Sequence, residues 1–271
     1  MKRYIALIIM LLPFMAMSQK LNVRLPKNAD VEVLVDAGTL PAATRMISIE
    51  EDKLTLLSGD EIITLYNDSI YYWGKVPTEV VKSDNIIMCY GVLVYKAGNC
   101  IKAWYDGSIM NVIDMPDDKY AIFPAVDDVI YLVRYENEKS KIFVFDVKTR
   151  MSVPLIEIPF KIKYLSANGL DIFLSEGKNI YYVSKDLSLK IFSTGTDVKS
   201  LAAGGGGVFY TTPQKCGYIG NLNAAIDLFE GNVKQILCNK NKLYMLFKNG
   251  KIASVGNIAE FGKIFEINDN K

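Results

Sequence analysis

Six basic residues recur along the sequence at nearly even intervals and form its first candidate site. The intervals are 37, 37, 44, 36 and 35 residues. The residues are Arg45, Lys82, Lys119, Lys163, Lys199 and Lys234. Cations gathered around one site attract anions, so this set predicts binding of a phosphate, a sulfated or acidic sugar, or an acidic peptide. The alternative is a repeated loop position that needs a soluble residue, because nearby carboxylates such as Asp84 and Asp197 can neutralise exposed charge.

Two aromatic runs, Tyr71–Trp73 and Trp104–Tyr105, are a second candidate. Their planar faces and polar edges suit stacking against a sugar or a peptide. Burial inside a sheet explains the same residues, since strands are rich in tyrosine and tryptophan. We expect these side chains to belong to the core.

Carboxylates are a further candidate for catalysis or metal binding. The chain contains no histidine, so these roles would fall to Asp and Glu. A Ser-His-Asp or Cys-His relay and a histidine-ligated zinc are therefore excluded. Paired acids can hydrolyse glycosides or hold calcium, and the clusters here are Asp117–Asp118, Asp127–Asp128 and Glu50–Asp52. None has the alternating spacing of a calcium loop, which favours solvated turns. We assign no catalytic residue, no metal ligand and no cofactor.

The four cysteines are Cys89, Cys100, Cys216 and Cys238, and none forms a C-x-x-C pair. An exported protein is expected to use disulfides. The repeat described below keeps these cysteines apart, and we therefore expect unpaired thiols that pack as small apolar residues.

The N-terminus predicts export. Lys2 and Arg3 precede an apolar run, Ile5–Met17, and Ala16–Ser18 supplies small residues for cleavage before Gln19. The run is too short for a membrane span, which takes about 20 residues. We expect a signal peptide at residues 1–18 and a product in the periplasm or at the cell surface, with no membrane span after cleavage.

The net charge and the position of the first cysteine limit the kinds of partner that we expect. A net charge of +1 offers no broad field for nucleic acid. A lipoprotein needs a cysteine at the cleavage point, whereas the first cysteine is Cys89. The expected partner is another envelope or extracellular protein, or a polysaccharide.

Short apolar bursts separated by Gly, Asn, Asp or Lys turns predict strands throughout the chain. One pattern of four strands recurs six times, each time near one of the basic residues, and Glu136–Ser140 is an insertion that accounts for the longest interval. The second strands begin at Leu54, Val92, Val129, Leu170, Val208 and Leu243. The predicted first strands carry small residues, at Ser48, Ala121, Ala125, Ser166, Ala167, Ala202 and Ala203. Six such units are typical of a β-propeller, in which small residues fit the crowded axis.

Ring closure is predicted at the N-terminus. Val31–Val35 resembles a fourth strand without the three that should precede it, and it can complete the last blade. Lys263–Ile267 also resembles a fourth strand, so the two termini are expected to lie side by side. The predicted organisation is a signal peptide at 1–18, an extension with the closing strand at 19–44, and a propeller at 45–271.

The repeat length and strand pattern resemble six-bladed β-propellers of the TolB-like and NHL-like kind, over roughly residues 45 to 271. The predicted fold class is all-β, a six-bladed propeller of four-stranded antiparallel blades; a seven-bladed ring and a β-sandwich are the alternatives. By analogy with that fold, sites lie where chains enter the innermost strands, and the basic residues would open onto that face. No sharper blade signature is present, so no functional residue carries over.

The leading functional hypothesis is an exported, non-catalytic binding module for a protein or a surface polymer. One alternative is a carbohydrate-active or lactone-type enzyme based on Asp and Glu, with or without calcium. The other is an anion sensor that uses the basic residues.

Overall fold

The structure is a computed structural model of the chain, and it describes residues 31–261 except 68, 90, 126–128, 170, 184–187, 221–223 and 231–232. The predicted signal peptide, Asp127–Asp128 and Lys263–Ile267 therefore lie outside the described residues. The regular secondary structure of the described part is almost entirely strand. No helix among the described residues has the length and apolar character needed to cross a membrane.

The described chain contains twenty-four strands and a short helix, and residues 259–261 are also helical. The first thirteen strands are β1 Val31–Val35, β2 Arg45–Glu50, β3 Lys53–Ser58, β4 Glu61–Tyr66, β5 Ser69–Lys75, β6 Ile86–Cys89, β7 Val92–Ala97, β8 Cys100–Tyr105, β9 Ser108–Asp114, β10 Tyr120–Pro124, β11 Val129–Glu136, β12 Lys139–Asp146 and β13 Ser152–Ile158. The remaining strands are β14 Tyr164–Asn168, β15 Asp171–Ser175, β16 Asn179–Val183, β17 Leu189–Ser193, β18 Ser200–Gly204, β19 Gly207–Thr211, β20 Lys215–Gly220, β21 Ala224–Glu230, β22 Val233–Cys238, β23 Leu243–Phe247 and β24 Ile252–Val255. The helix α1 spans Thr78–Lys82, between β5 and β6.

The strands form six four-stranded antiparallel sheets, which confirms the predicted propeller. Blades 1 to 5 each use four consecutive strands, from β2–β5 to β18–β21. The first strands β2, β6, β10, β14, β18 and β22 contact one another in cyclic order, so they surround the axis. We call the side on which these strands begin the upper face, and the side on which they end the lower face.

Six buried apolar clusters hold the blades together, one for each pair of neighbouring blades. The cluster between blades 6 and 1, for example, joins Tyr244 and Leu246 to Leu54 and Ile63. Each blade is therefore apolar on both faces, as the sequence predicts. A fully buried leucine such as Leu54 contributes about 1.5–3 kcal/mol through burial alone.

Blade 6 is built from both ends of the chain. Its order is β22-β23-β24-β1, and β1 pairs antiparallel with β24, with Val31 opposite Val255 and Val33 opposite Ala253. The predicted closing role of Val31–Val35 is confirmed. The last β-strand of the ring therefore comes from the first described residues.

Polar side chains also join the first strands of neighbouring blades. Gln235 of blade 6 accepts the Met46 N–H at 2.9 Å and donates to the Met46 carbonyl at 2.6 Å. Ser166 accepts the Ala203 N–H, and Ser200 accepts the Ile236 N–H. The two serine contacts join residues that are 37 and 36 positions apart in the sequence, so they recur with the blade repeat. The contact of Gln235 with Met46 is the equivalent one at the point where the ring closes.

The Gly204–Gly207 run joins the first and second strands of blade 5 in a closely packed turn. Gly205 and Gly206 both have positive φ. A Cβ on Gly205 would lie 2.5 Å from the backbone oxygen of Ile258. The glycines thus let the blade 5 turn touch the chain that leaves β24 on the lower face.

A charge in the closing strand is expected to disrupt the fold only where the side chain is buried. Val35 is 6% exposed and Val31 is 49% exposed in the same strand. We expect Val35→Asp to lower the free energy of unfolding by more than ~3 kcal/mol, since it buries an unpaired charge. Val31→Asp should change it by less than ~0.5 kcal/mol. Urea denaturation measures both, and equal losses would contradict the closing geometry.

The Gly205 turn gives a second stability prediction, with Gly107 as the matched control. Both residues have positive φ, but a Cβ on Gly107 meets nothing within 4 Å. Gly107→Ala should cost about 1–2 kcal/mol from the left-handed backbone alone. Gly205→Ala adds a steric clash and should cost about 1–3 kcal/mol more. Thermal denaturation measures the stability of both variants. If both lose the same stability, the Gly205 turn is not packed as described.

Candidate functional site

The six predicted basic residues all lie at or near the start of a first strand, on the upper face. Arg45 opens β2, Lys234 lies in β22 and Lys82 ends α1. The other three immediately precede β10, β14 and β18. The side chains of Lys82, Lys119, Lys163 and Lys199 are exposed, whereas those of Arg45 and Lys234 are half-buried.

Arg45 and Lys234 are engaged in joining blades. The Arg45 guanidinium donates to the carbonyls of Val81 at 2.8 Å and Ser83 at 2.5 Å in the chain that enters blade 2. Lys234 donates to the carbonyls of Ala42 and Thr44, both at 2.9 Å, in the chain that enters blade 1. Burial lowers the pKa of Arg45; burial and then the nearby Arg45 charge lower the pKa of Lys234.

Lys96 joins blades 2 and 3 in the same way, although the sequence pattern did not single it out. Its ammonium donates to the carbonyls of Asp118 at 2.6 Å and Tyr120 at 2.9 Å. Lys96 lies at the end of a second strand, not at the start of a first strand. A search for basic residues at one repeated position therefore could not find it.

The spacing of the basic residues is less regular in the structure than in the sequence. The backbone carbonyl of Lys119 accepts the N–H of Tyr135 in blade 3, and in blade 2 the matching carbonyl belongs to Asn85. Lys82 thus lies three residues before the position that matches Lys119. Four exposed lysines remain for an anion, and anion binding stays a prediction.

Helix α1 is fixed to blade 2 by a polar cluster. Glu79 accepts hydrogen bonds from the Tyr95 hydroxyl at 2.5 Å and from Lys102 Nζ at 3.0 Å. The bonds from Tyr95 and Lys102 lower the pKa of Glu79, and burial raises the pKa of Tyr95. This five-residue helix was not predicted; its sequence signals are Pro77 before it, Glu79 in its first turn and Lys82 in its last turn.

The acidic clusters within the described chain are separate from one another. Asp117 accepts the Lys119 N–H at 3.0 Å and Asp118 supplies a carbonyl to Lys96, on the upper face. Glu50–Asp52 surrounds the turn between β2 and β3, on the lower face. Among the described residues no three or more Cys, Asp or Glu side chains group closely enough to hold a metal ion.

None of the four cysteines forms a disulfide. Cys89 and Cys216 are buried, and Cys100 and Cys238 are partly exposed. The Cys100 thiol donates to Asp114 Oδ1 at 3.1 Å, which raises the pKa of Cys100. The repeat predicted thiols outside any disulfide, and two of the four are less buried than expected.

We expected the side chains of the two aromatic runs to belong to the core, and for most of them this is wrong. Tyr71, Tyr72 and Trp73 on β5 are 52%, 72% and 55% exposed. Tyr105 is also exposed, and only Trp104 is buried as expected. The prediction failed because these residues lie on or beside the outermost strands of their blades, where one period-2 pattern fits both buried and exposed positions.

These side chains lie on two neighbouring blades. We use the name aromatic rim for the exposed large apolar residues at the outer edges of these two blades: Ile70, Tyr71, Tyr72 and Trp73 of β5, and Tyr105, Ile109 and Met110 of blade 2. All seven residues of β5 are exposed. Large apolar surface that remains in water is typical of a binding surface.

A groove adjoins the aromatic rim at the junction of blades 6 and 1. We call it the closure groove; it has a volume of about 300 Å³ and opens on the lower face. Its apolar lining includes Leu34, Leu65 and Ile70. Its charged residues are Glu32, Asp52 and Lys242.

No protein-family model matches the sequence, and no curated protein matches it. Solved structures match by fold. A catalytically inactive histidine-to-alanine variant of virginiamycin B lyase from Staphylococcus aureus, with quinupristin, has a TM-score of 0.56 at 14% identity, covering 82% of this chain and 83% of that one.

Two further structures are similar over most of their length. A gluconolactonase from Xanthomonas campestris has a TM-score of 0.56 at 9% identity, covering 85% of this chain and 90% of that one. A luciferin-regenerating enzyme has a TM-score of 0.57 at 11% identity, covering 84% and 95%. At these identities the likeness establishes architecture alone: the chain has the six-bladed β-propeller fold.

Proposed function

We propose that the chain is an exported, non-catalytic binding module that recognises another envelope or extracellular protein, or a surface polysaccharide, through the aromatic rim. The observation that carries this proposal is the exposure of four consecutive large apolar residues, Ile70–Trp73. Tyrosine and tryptophan are the residues that most often supply binding energy at interfaces.

The outer strands of the other blades show how exposed edges are usually protected. Charged residues or proline interrupt them, at Glu32 in β1, Pro154 in β13, Lys190 in β17 and Asp227 in β21. Such residues prevent an edge from pairing with another chain. In β5 and β9 the first six residues carry no charge and no proline, so the two edges at the aromatic rim lack this protection.

The absence of histidine supports a non-catalytic role. The similar virginiamycin B lyase is described as catalytically inactive when a histidine is replaced by alanine. This chain has no histidine at any position. We build no lactonase activity on the likeness to gluconolactonase, because that likeness concerns the fold.

Export is part of the proposal and rests on the basic start, apolar run and small residues of 1–18. A partner in the envelope or outside the cell follows from that location. The free hydroxyl and indole edges of the aromatic rim suit a partly wet contact with either kind of partner.

The proposed surface is tested with the double variant Tyr72→Ser/Trp73→Ser in crosslinking experiments on intact cells. We expect capture of the specific partner to fall at least ~10-fold, because exposed aromatic anchors dominate binding energy. Folding should be unaffected, since both side chains are largely exposed.

The matched control is Ile191→Ser, an equally exposed apolar residue on the fourth strand of blade 4. It should retain capture. A partner that is captured equally by all three proteins would place binding elsewhere and contradict the proposal.

The anion-sensor hypothesis needs its own measurement. If the exposed lysines bind an anion, phosphate or a sulfated glycan should raise the unfolding temperature, because the ligand binds the folded state. Lys119→Gln/Lys199→Gln should remove that rise. No shift with any anion, at low ionic strength, would eliminate the hypothesis.

A further inference from the structure

The floor of the closure groove extends outward onto the aromatic rim. In the β4–β5 pair, Ile70 lies opposite Leu65 and Tyr72 lies opposite Ile63. Ile63 and Leu65 belong to the buried cluster between blades 6 and 1. Residues directly opposite in a sheet share a face, so Ile70 and Tyr72 also face blade 6. They continue the apolar floor from the core to solvent.

The charged end of the groove is acidic. Glu32 and Asp52 each have a carboxylate oxygen 3.9 Å from Lys242 Nζ, which is beyond hydrogen-bond length. The single positive charge of Lys242 therefore lies near two negative charges. The Glu32 and Asp52 side chains are 49% and 63% exposed, so another cation can reach them.

The nearby phenol of Tyr244 adds no charge to the groove. Burial, followed by Asp52 and Glu32, raises the pKa of Tyr244 to about 12, so the phenol is neutral at physiological pH. Lys53 is not among the residues that line the groove; its ammonium lies 5.5 Å from the centre of the ring of Tyr66, which does line it. Among the residues that line the groove, the acids outnumber the bases by two to one.

The outer edge of β5 favours an extended ligand. β5 is the last strand of blade 1, so alternate N–H and C=O groups point away from the sheet. An extended peptide can use such groups while its side chains enter adjacent pockets. A polypeptide therefore fits the combination of an edge that no described strand pairs with, an apolar floor and an acidic end.

We propose that the closure groove binds an extended segment of a partner protein, with a lysine or arginine side chain beside Glu32 and Asp52 and apolar side chains on Ile70 and Tyr72. This inference rests on the proposed binding function and names the chemistry of the partner. Charge selects the basic residue, and the apolar floor supplies most of the affinity.

The test uses acetylated and amidated pentapeptides, titrated calorimetrically into the full chain. The probe has the sequence Arg-Ser-Val-Ser-Val, in which the arginine and both valines share one face of an extended chain, and two matched peptides replace the arginine with glutamine or with glutamate. We expect the arginine peptide to bind at least ~5-fold more tightly than the glutamine peptide, and the glutamate peptide to bind weakest. The preference should shrink as salt is raised.

Variants of the groove should change affinity in opposite directions. Glu32→Gln/Asp52→Asn should weaken binding of the arginine peptide at least ~5-fold, because both anions are lost. Lys242→Gln should strengthen it by about 2–5-fold, because it removes the competing cation. The control Asp60→Asn changes an acid of similar exposure at the opposite end of blade 1 and should have no effect. Unchanged unfolding temperatures would show that each variant is folded.

Several outcomes would overturn the inference. They are no binding by any peptide at millimolar concentration, equal binding by the arginine and glutamate peptides, no loss in the Glu32/Asp52 double variant, or preferential binding of a neutral oligosaccharide. These outcomes differ from failure of the proposed function. If Tyr72→Ser/Trp73→Ser abolishes capture in cells while no peptide binds, the rim is the binding surface and the ligand is not a basic peptide.

Discussion

The antiparallel pairing of β1 with β24 is the contact on which the rest of the structure depends. Every blade has two apolar faces, so an open row of six blades would leave two of those faces in water. By supplying the fourth strand of blade 6, β1 places blade 6 against blade 1 and buries the last interface. The closure also covers the free edge of β24, which would otherwise be available for pairing with another chain.

Because the ring is closed, several polar side chains of the upper face form hydrogen bonds to the neighbouring blade. Arg45 and Lys234 bind carbonyls of the next blade, and Gln235 joins the first strands of blades 6 and 1. A cation that already binds backbone carbonyls of the next blade stabilises the ring and is less available to a ligand. The exposed apolar surface lies instead at the outer strands of blades 1 and 2, away from the axis. In this propeller Arg45 and Lys234 are used in assembly contacts, and the surface proposed for recognition lies at the rim.

Most of the fold could be predicted from the sequence because a repeat of about 37 residues places equivalent strands in register. The lone strand Val31–Val35 predicted closure for the same reason. The site could not be predicted in that way. Tyr72 follows a strand pattern whether it is buried or exposed, and only the position of β5 at the edge of its blade decides. The closure groove joins Glu32 and Lys242, which are far apart in sequence and belong to no common motif.

Ligand binding in the closure groove, as proposed above, depends on closure of the ring. One wall comes from β1 and blade 6, and the other from blade 1, so Glu32 and Ile70 face one another only in the closed ring. A ligand that contacts both walls binds the closed ring and has no equivalent site in the opened or unfolded chain. Its binding free energy therefore adds to the stability of the β1–β24 pairing by mass action. Because the same pairing creates the groove, any change that weakens closure must also weaken binding there, even when it touches no residue that the ligand contacts.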